Sequence, residues 1–285
     1  MTVTLRAPQP ADAAALGDIC YRAFQNIAEA HNFPPDFPGT QVAVGMMTNM
    51  IGASGVFGVC AEADGRLIGS NFIAEANPIA GIGPITVDPD DQNDGVGRRL
   101  MIAALQRCRE RGVPGVRLVQ AGYHMRSLSL YLKLGFEARE HLSCLQGAPI
   151  GQSVPGCTVR LATEADLTAC NQLCFDIHGV DRAGELAQAT ARGQAQVVER
   201  AGRITGYASV IAFFGHAVGE SNDDLKALLG AAESFGGAGV LVPTRNGELM
   251  RWCLGHGLKV TQALTLMSLG LYQEPAGAWL PSVIY

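Results

Sequence analysis

Eight cysteines occur without a single C-x-x-C, and no two of the six histidines fall in an H-x-x-x-H spacing. Those absences argue against zinc or redox motifs, and no metal is expected. Cys170 and Cys174 would share a helical face and read as small buried hydrophobes. No uncharged apolar run approaches the roughly 18 residues needed to cross a bilayer. The longest candidate, 204–219, contains His216 and three glycines. Residues 1–14 lack the charged start and apolar core of a signal peptide, so a cytoplasmic location is expected. Lys and Arg total 21 against 26 acidic residues, a net charge of −5, and they are scattered rather than blocked. This pattern disfavours nucleic acid and anionic membrane surfaces as partners.

What is present is apolar: 48% of the 285 residues are hydrophobic, enough to bury one large or two modest cores. Three landmarks occur twice, in the same order. Arg6, Ala11, Asp12 and Cys20 match Arg160, Ala165, Asp166 and Cys174. Residues 63–69 resemble residues 200–206, each a tight turn between β-rich runs. Residues 131–136 align with residues 253–258. Three ordered matches indicate two copies of one fold, with deletions in the second. A Gly, Pro and Ser stretch, 147–156, reads as the linker. The expected domains are 1–147 and 157–285, each with alternating strands and helices and therefore α/β.

The most informative window runs from Pro84 to Leu100. Ile85, Thr86 and Val87 are strand formers, Pro89 ends the strand, and Gly95 and Gly97 permit a tight turn into a helix that begins near Leu100. Such a loop directs unpaired N–H groups and the positive end of a helix dipole at one point, an anion site. Arg98 and Arg99 can add charge-assisted contacts from its rim. A strand at 116–120 follows, then His124, Ser127, Tyr131 and Leu134-Gly135-Phe136.

Val87-x-Pro89 with Gln92-x-x-Gly95-x-Gly97 resembles the cofactor motif of the GNAT superfamily of acetyltransferases. The run from His124 to Phe136 resembles its second signature, in which a polar residue, usually Asn, precedes Tyr by seven positions. Here that residue is His124, and Tyr131 is kept. The resemblance implies two tandem GNAT-like α/β domains, each with a central mixed, mostly antiparallel sheet flanked by helices. It implies acetyl-coenzyme A as co-substrate, with the pyrophosphate on the loop Gln92, Asn93, Asp94, Gly95, Val96, Gly97, Arg98 and Arg99. The pantetheine arm would lie along Ile85, Thr86 and Val87, with His124, Ser127 and Tyr131 completing the site.

Acetyl transfer to a small primary amine by direct attack needs an acid for the departing thiolate, and Tyr131 suits it: a phenol titrates near ~10, above a thiol near ~8.5. Deprotonation of the ammonium falls to Glu75 at the end of the hairpin, to His124, or to a water chain. Asp88 and Asp90 read as turn formers. The aromatic, proline-stiffened loop 31–38, with Phe33, Asp36 and Phe37, is the expected substrate-selecting segment.

The second copy has Cys253 where the first has Tyr131, and acidic residues at 220–224 where a phosphate would sit. Its expected role is structural or substrate-shaping. Residues 272–285, with Trp279, are expected to pack across the domain interface. A non-catalytic acyl-coenzyme A sensor or interaction protein is the competing reading.

Overall fold

The computed structural model describes residues 2–284. The chain begins with β1 (Val3–Arg6), α1 (Ala13–Ala30) and α2 (Thr40–Gly52). Three strands follow, β2 (Val56–Ala63), β3 (Arg66–Ala74) and β4 (Ala80–Val87), and then α3 (Val96–Glu110), β5 (Gly115–Ala121), α4 (Met125–Lys133) and β6 (Glu137–Gln146). The order then repeats as β7 (Thr158–Leu161), α5 (Leu167–His178), α6 (Ala183–Ala191), β8 (Gln196–Arg200), β9 (Arg203–Ala208), β10 (Ala217–Gly219), α7 (Asn222–Ala231), β11 (Val240–Pro243), α8 (Gly247–Gly255) and β12 (Lys259–Gly270). An added strand, β13 (Ala278–Leu280), has no counterpart among the described residues of the first half. No helix among the described residues is long and apolar enough to cross a membrane.

The repeat extends to side-chain chemistry. Arg6 Nη1 donates to Asp12 at 2.7 Å and its Nε to Glu62 at 2.9 Å; Arg160 Nη1 donates to Asp166 at 2.7 Å and its Nε to Glu199 at 3.0 Å. Each arginine thereby clamps the first helix of its half to the first hairpin. The hairpin turns also match: Asp64-Gly65 and Ala201-Gly202 both adopt φ of 50° and 76°. Two consecutive left-handed residues match the right-handed twist of the flanking strands. Alanine tolerates that conformation at a cost, so the turn is dictated by the hairpin rather than by local preference.

The halves are joined by an exchange of strands. One sheet has the order β1-β2-β3-β4-β5-β12-β6-β11 and the other β13-β10-β9-β8-β7. β12, the last strand of the second repeat, pairs with β5 from Leu264 opposite Ala121 to Gly270 opposite Gly115. Reciprocally, β6 of the first repeat pairs with β11, and β6 and β12 pair with each other. The eight-stranded sheet therefore crosses the linker expected at 147–156. One core accordingly mixes Ile79, Leu142 and Cys144 with Cys170, Leu173, Leu264 and Trp279.

Among the described residues, only one neighbouring pair in that sheet is parallel. β4 and β5 pair at Ala80 with Val116 and at Gly81 with Arg117, and no further. Beyond Gly81 the two strands separate, leaving the outer edge of β4 through Val87 without a strand partner. Unpaired backbone groups at a sheet edge seek donors and acceptors, and here they face a cleft.

Candidate active site

The loop after β4 is shaped by two left-handed residues, Asn93 at φ 78° and Gly95 at φ 79°. Gly95 is the N-cap of α3 and supplies no side-chain hydrogen bond to it. The first N–H groups of α3 therefore have no side-chain cap and no intrahelical partner, and they carry the positive end of the helix dipole. Gln92 Nε2 donates to the Val87 carbonyl at 3.1 Å, holding the loop against the strand end. Asp88 accepts both Arg22 guanidinium nitrogens at 3.0 and 2.9 Å and the Asp90 N–H at 3.2 Å. It forms the turn, as expected, and in addition ties α1 to it through Arg22.

A cavity of about 410 Å³ opens between this loop, β4 and α4. Its lining unites Ile85, Thr86, Val87, Gln92, Asn93, Gly95, Val96, Gly97 and Arg98 with His124, Ser127 and Tyr131. Most of the residues marked by the two sequence motifs thus meet at one place. Tyr131 is 6% exposed and packs edge-on to Phe136 at 6.2 Å. Burial pushes its phenol well above the ordinary value, so it stays protonated. His124 is the N-cap of α4: its Nδ1 accepts the Ser127 N–H at 3.1 Å. With Nδ1 an acceptor, the ring proton of the neutral imidazole sits on Nε2. Burial, with the Arg126 charge second, lowers the His124 pKa and keeps the ring neutral.

Other expected residues lie elsewhere. Glu75 is not in the lining. It sits after β3 at the sheet end opposite Val87, since Gly69 pairs with Val87 and Ala74 with Gly81. Its carboxylate is bound by Arg107 at 2.9 and 3.1 Å and by Arg111, near the far end of α3. Ten residues of helix separate Arg107 from Gly97, about 15 Å. Burial alone would raise the Glu75 pKa, but the two guanidiniums outweigh it and hold it below the usual range. Glu75 is thus an arginine-paired carboxylate outside this cavity. Arg99 turns toward the Val3 carbonyl at 3.5 Å, and Asp94 is likewise outside the lining.

Loop 31–38 packs with aromatics. Phe33 stacks on Tyr123 at 4.2 Å and Phe37 meets Phe24 edge-on at 5.5 Å. Asp36 Oδ1 accepts Gln262 Nε2 of β12 at 3.0 Å, and burial raises its carboxyl pKa. None of Phe33, Asp36 and Phe37 lines the cavity, although Phe24, against which Phe37 rests, does.

Sequence reasoning missed two contributors. Ala23, Phe24 and Ile27 of α1 form an apolar wall; their spacing as one helical face was the available signal. Arg126 donates to Asn93 Oδ1 at 3.1 Å and to Gln92 Oε1, tying α4 to the loop across the cavity. A second cavity, about 1200 Å³, reaches β4 at Gly81, Gly83 and Pro84, immediately before Ile85. Its walls come from both halves, including Met46 and Asn49 of α2 and Glu185 and Gln188 of α6.

Residues 24–136 match the model of the acetyltransferase (GNAT) family. Over 97 residues the chain is 34% identical to a mycothiol acetyltransferase of Saccharomonospora viridis, covering 31% of each chain. Over 77 residues it is 40% identical to the mycothiol acetyltransferase of Thermomonospora curvata, covering 27% of this chain and 26% of that one. The matched stretches thus span less than a third of those relatives. Among solved structures, a proposed acetyltransferase of Pyrococcus horikoshii superposes with a TM-score of 0.74 at 18% identity, over 97% of this chain and 92% of that one. A GCN5-related N-acetyltransferase of Sphaerobacter thermophilus gives 0.65 at 18% identity, over 95% and 96%. These two likenesses extend the fold to the whole chain, while the family match rests on the first half, where the motifs and the cavity coincide. Residues 24–136 thus match the GNAT acetyltransferase family, within a fold of two tandem GNAT-like halves.

Proposed function

We propose that this protein transfers an acetyl group from acetyl-coenzyme A to a small primary amine, by direct attack in the cleft between β4 and β5. The observation that carries the reading is the meeting, in one cavity, of an uncapped helix start and a buried, protonated tyrosine. Acetyl-coenzyme A supplies an acetyl group activated as a thioester. The N–H groups at the start of α3 and Arg98 suit its phosphates, and the glycine at 97 leaves room beside them. The open edge of β4 suits an amide-bearing arm and can donate to a developing oxyanion. Tyr131 holds a proton above the range in which a thiolate of pKa near ~8.5 needs it.

The amine's own proton leaves through water in this reading. The Glu75 carboxylate is bound by Arg107 and Arg111 and held below its usual pKa, which makes it a poor base, and His124 uses its acceptor nitrogen as a helix cap. The acceptor reaches β4 from the second cavity, beside Gly83 and Pro84. The relatives' designation as mycothiol acetyltransferases supports a small-molecule acceptor.

The test is thiol release from acetyl-coenzyme A against a panel of amines, with the native chain and Tyr131→Phe. One amine driving release, with kcat reduced roughly ten- to a thousandfold in the variant, is the expected result. Tight binding without release by any amine would instead make the chain an acyl-coenzyme A binding protein.

A further inference from the structure

The second half repeats the strand and the helix start that border the first half's cavity. Gly69 lies opposite Val87 in the first hairpin pair and Gly206 opposite Gly219 in the second. Because the two glycines close matching turns, Ala217, Val218 and Gly219 of β10 are the counterparts of Ile85, Thr86 and Val87. In the first half that strand edge is open to the cavity. In the second it is hydrogen-bonded along its length: Ala217 pairs with Leu280, Val218 with Trp279 and Gly219 with Ala278. β13 also packs against β11, so it lies between β10 and β11 as the cleft lies between β4 and β5.

The inserted segment is anchored on both sides of β13. The Ala276 N–H donates to the Ile177 carbonyl and the Val283 N–H to the Phe213 carbonyl, both at 2.9 Å. Trp279 is 5% exposed and stands perpendicular to His178 at 5.4 Å. Gly277 passes so close to β10 that a Cβ there would lie 3.0 Å from the Gly219 carbonyl oxygen and from Ile177.

The helix start beside this strand is closed as well. Where α3 begins at an uncapped glycine, α7 begins at Ser221 with a reciprocal cap: Asp224 accepts the Ser221 N–H at 2.9 Å. Asp224 is fully buried and also accepts Thr205 Oγ1 at 2.6 Å and Arg200 at 3.2 Å. A phosphate would find its donors taken and a carboxylate in place.

We infer that residues 276–283 are the standing occupant of the second half's cofactor groove, filling the place that the first half leaves for the pantetheine arm, so that the chain has a single acyl-coenzyme A site. The count of one rests on the function proposed above; the occupancy of the second groove does not.

The experiment is residue-resolved amide hydrogen exchange on the full chain, with and without coenzyme A, alongside calorimetric stoichiometry. Residues 217–219 and 278–280 are expected to be protected without ligand and unchanged by it, while exchange at 85–87 slows roughly tenfold or more at a stoichiometry of one. A stoichiometry of two, or protection gained at 217–219 as 278–280 loosens, overturns the inference. If coenzyme A binds nowhere, the proposed function fails, and Gly277→Val still decides the occupancy. Its branched side chain meets Gly219 and Ile177, so exchange at 217–219 should quicken roughly tenfold while 85–87 stays as it was. Unaltered exchange at 217–219 with 278–280 released would show that the segment does not cover that edge.

Discussion

His124 and Asn246 do the same job in the two halves: each side chain caps the helix that follows by accepting the N–H three residues on, Ser127 at 3.1 Å and Leu249 at 3.2 Å. The imidazole Nδ1 reproduces the geometry of an amide oxygen. His124→Asn is therefore expected to retain the cap, whereas His124→Ala removes it at a cost of about 0.5–2 kcal/mol. The two also separate by pH. The folded-state pKa of His124 is depressed, so its contribution is present above the ordinary value of ~6.5 and lost as pH falls toward the folded value. Thermal melts from pH 8 to 5 should show a smaller acid decline for His124→Asn than for the native chain. Identical declines would remove His124 from the balance.

Gly97 has space around it in the protein and none to spare in the proposed complex. A Cβ there would lie 3.7 Å from Val87 and 3.8 Å from Leu130, ordinary contacts, and both of those residues line the cavity. Gly97→Ala should leave the fold intact or stabilise it by about 0.4–1 kcal/mol, because alanine costs less entropy in a helix. It should also intrude on the cofactor, weakening binding by about 1–3 kcal/mol, roughly a fivefold to 150-fold loss. Calorimetry and melting curves on one sample check both arms. Native affinity in the variant would mean that no ligand atom approaches this position.

The loop from Gln92 to Arg98 was legible because its determinants are local. A strand end, left-handed positions and a helix start all lie within a dozen residues, and no distant contact is needed to place them. Glu75 misled because a hairpin end does not say which end of the sheet it occupies; that depends on the pairing of β3 with β4, in which Gly69 rather than Ala74 meets Val87. The strand exchange was hidden for a related reason. β6 and β12 are equivalent in sequence position, so the repeat predicts both strands but not whose sheet each joins. Residues 272–285 were expected at the domain interface. Tyr272 does face Arg117 and Arg139 of the first half, each at 4.9 Å, and Trp279 joins the core shared by both halves, while β13 itself pairs with β10 of the second; Tyr285 lies outside the described residues.

Glu75→Gln distinguishes a structural anion from a base. The Glu75 side chain is 5% exposed while Arg107 and Arg111 are 37% and 41% exposed, so solvent screens the pairs from one side. Loss of the charge should lower the melting temperature at pH 7 by about 2–4 °C and leave kcat/KM unchanged. Because the folded pKa is depressed, the stabilisation is present above ~4.3 and disappears as pH falls through the lower folded value. Native and variant melting temperatures should therefore converge toward pH 3. A large loss of kcat with an unchanged melt would restore the catalytic reading.

The exchange of β6 and β12 makes a sharper prediction for the halves. A fragment of residues 1–147 lacks β11 and β12, leaving β5 from Gly115 to Ala121 without its neighbour and both edges of β6 bare. Three open strand edges are not stable in water and seek partner strands. The first repeat carries a substitute, since β6 occupies in its own half the position that β12 occupies in the other. Two fragments can each lay β6 beside the other's β5, reproducing the central β5-β12-β6-β11 order as a symmetric, self-complementary interface. The fragment should therefore run as a dimer in light scattering, and adding residues 157–285 should convert it to a one-to-one complex in which β12 regains its place. A folded monomer of residues 1–147 would mean that the first half closes its sheet alone and that the exchange is a consequence of the linkage, not a requirement of the fold.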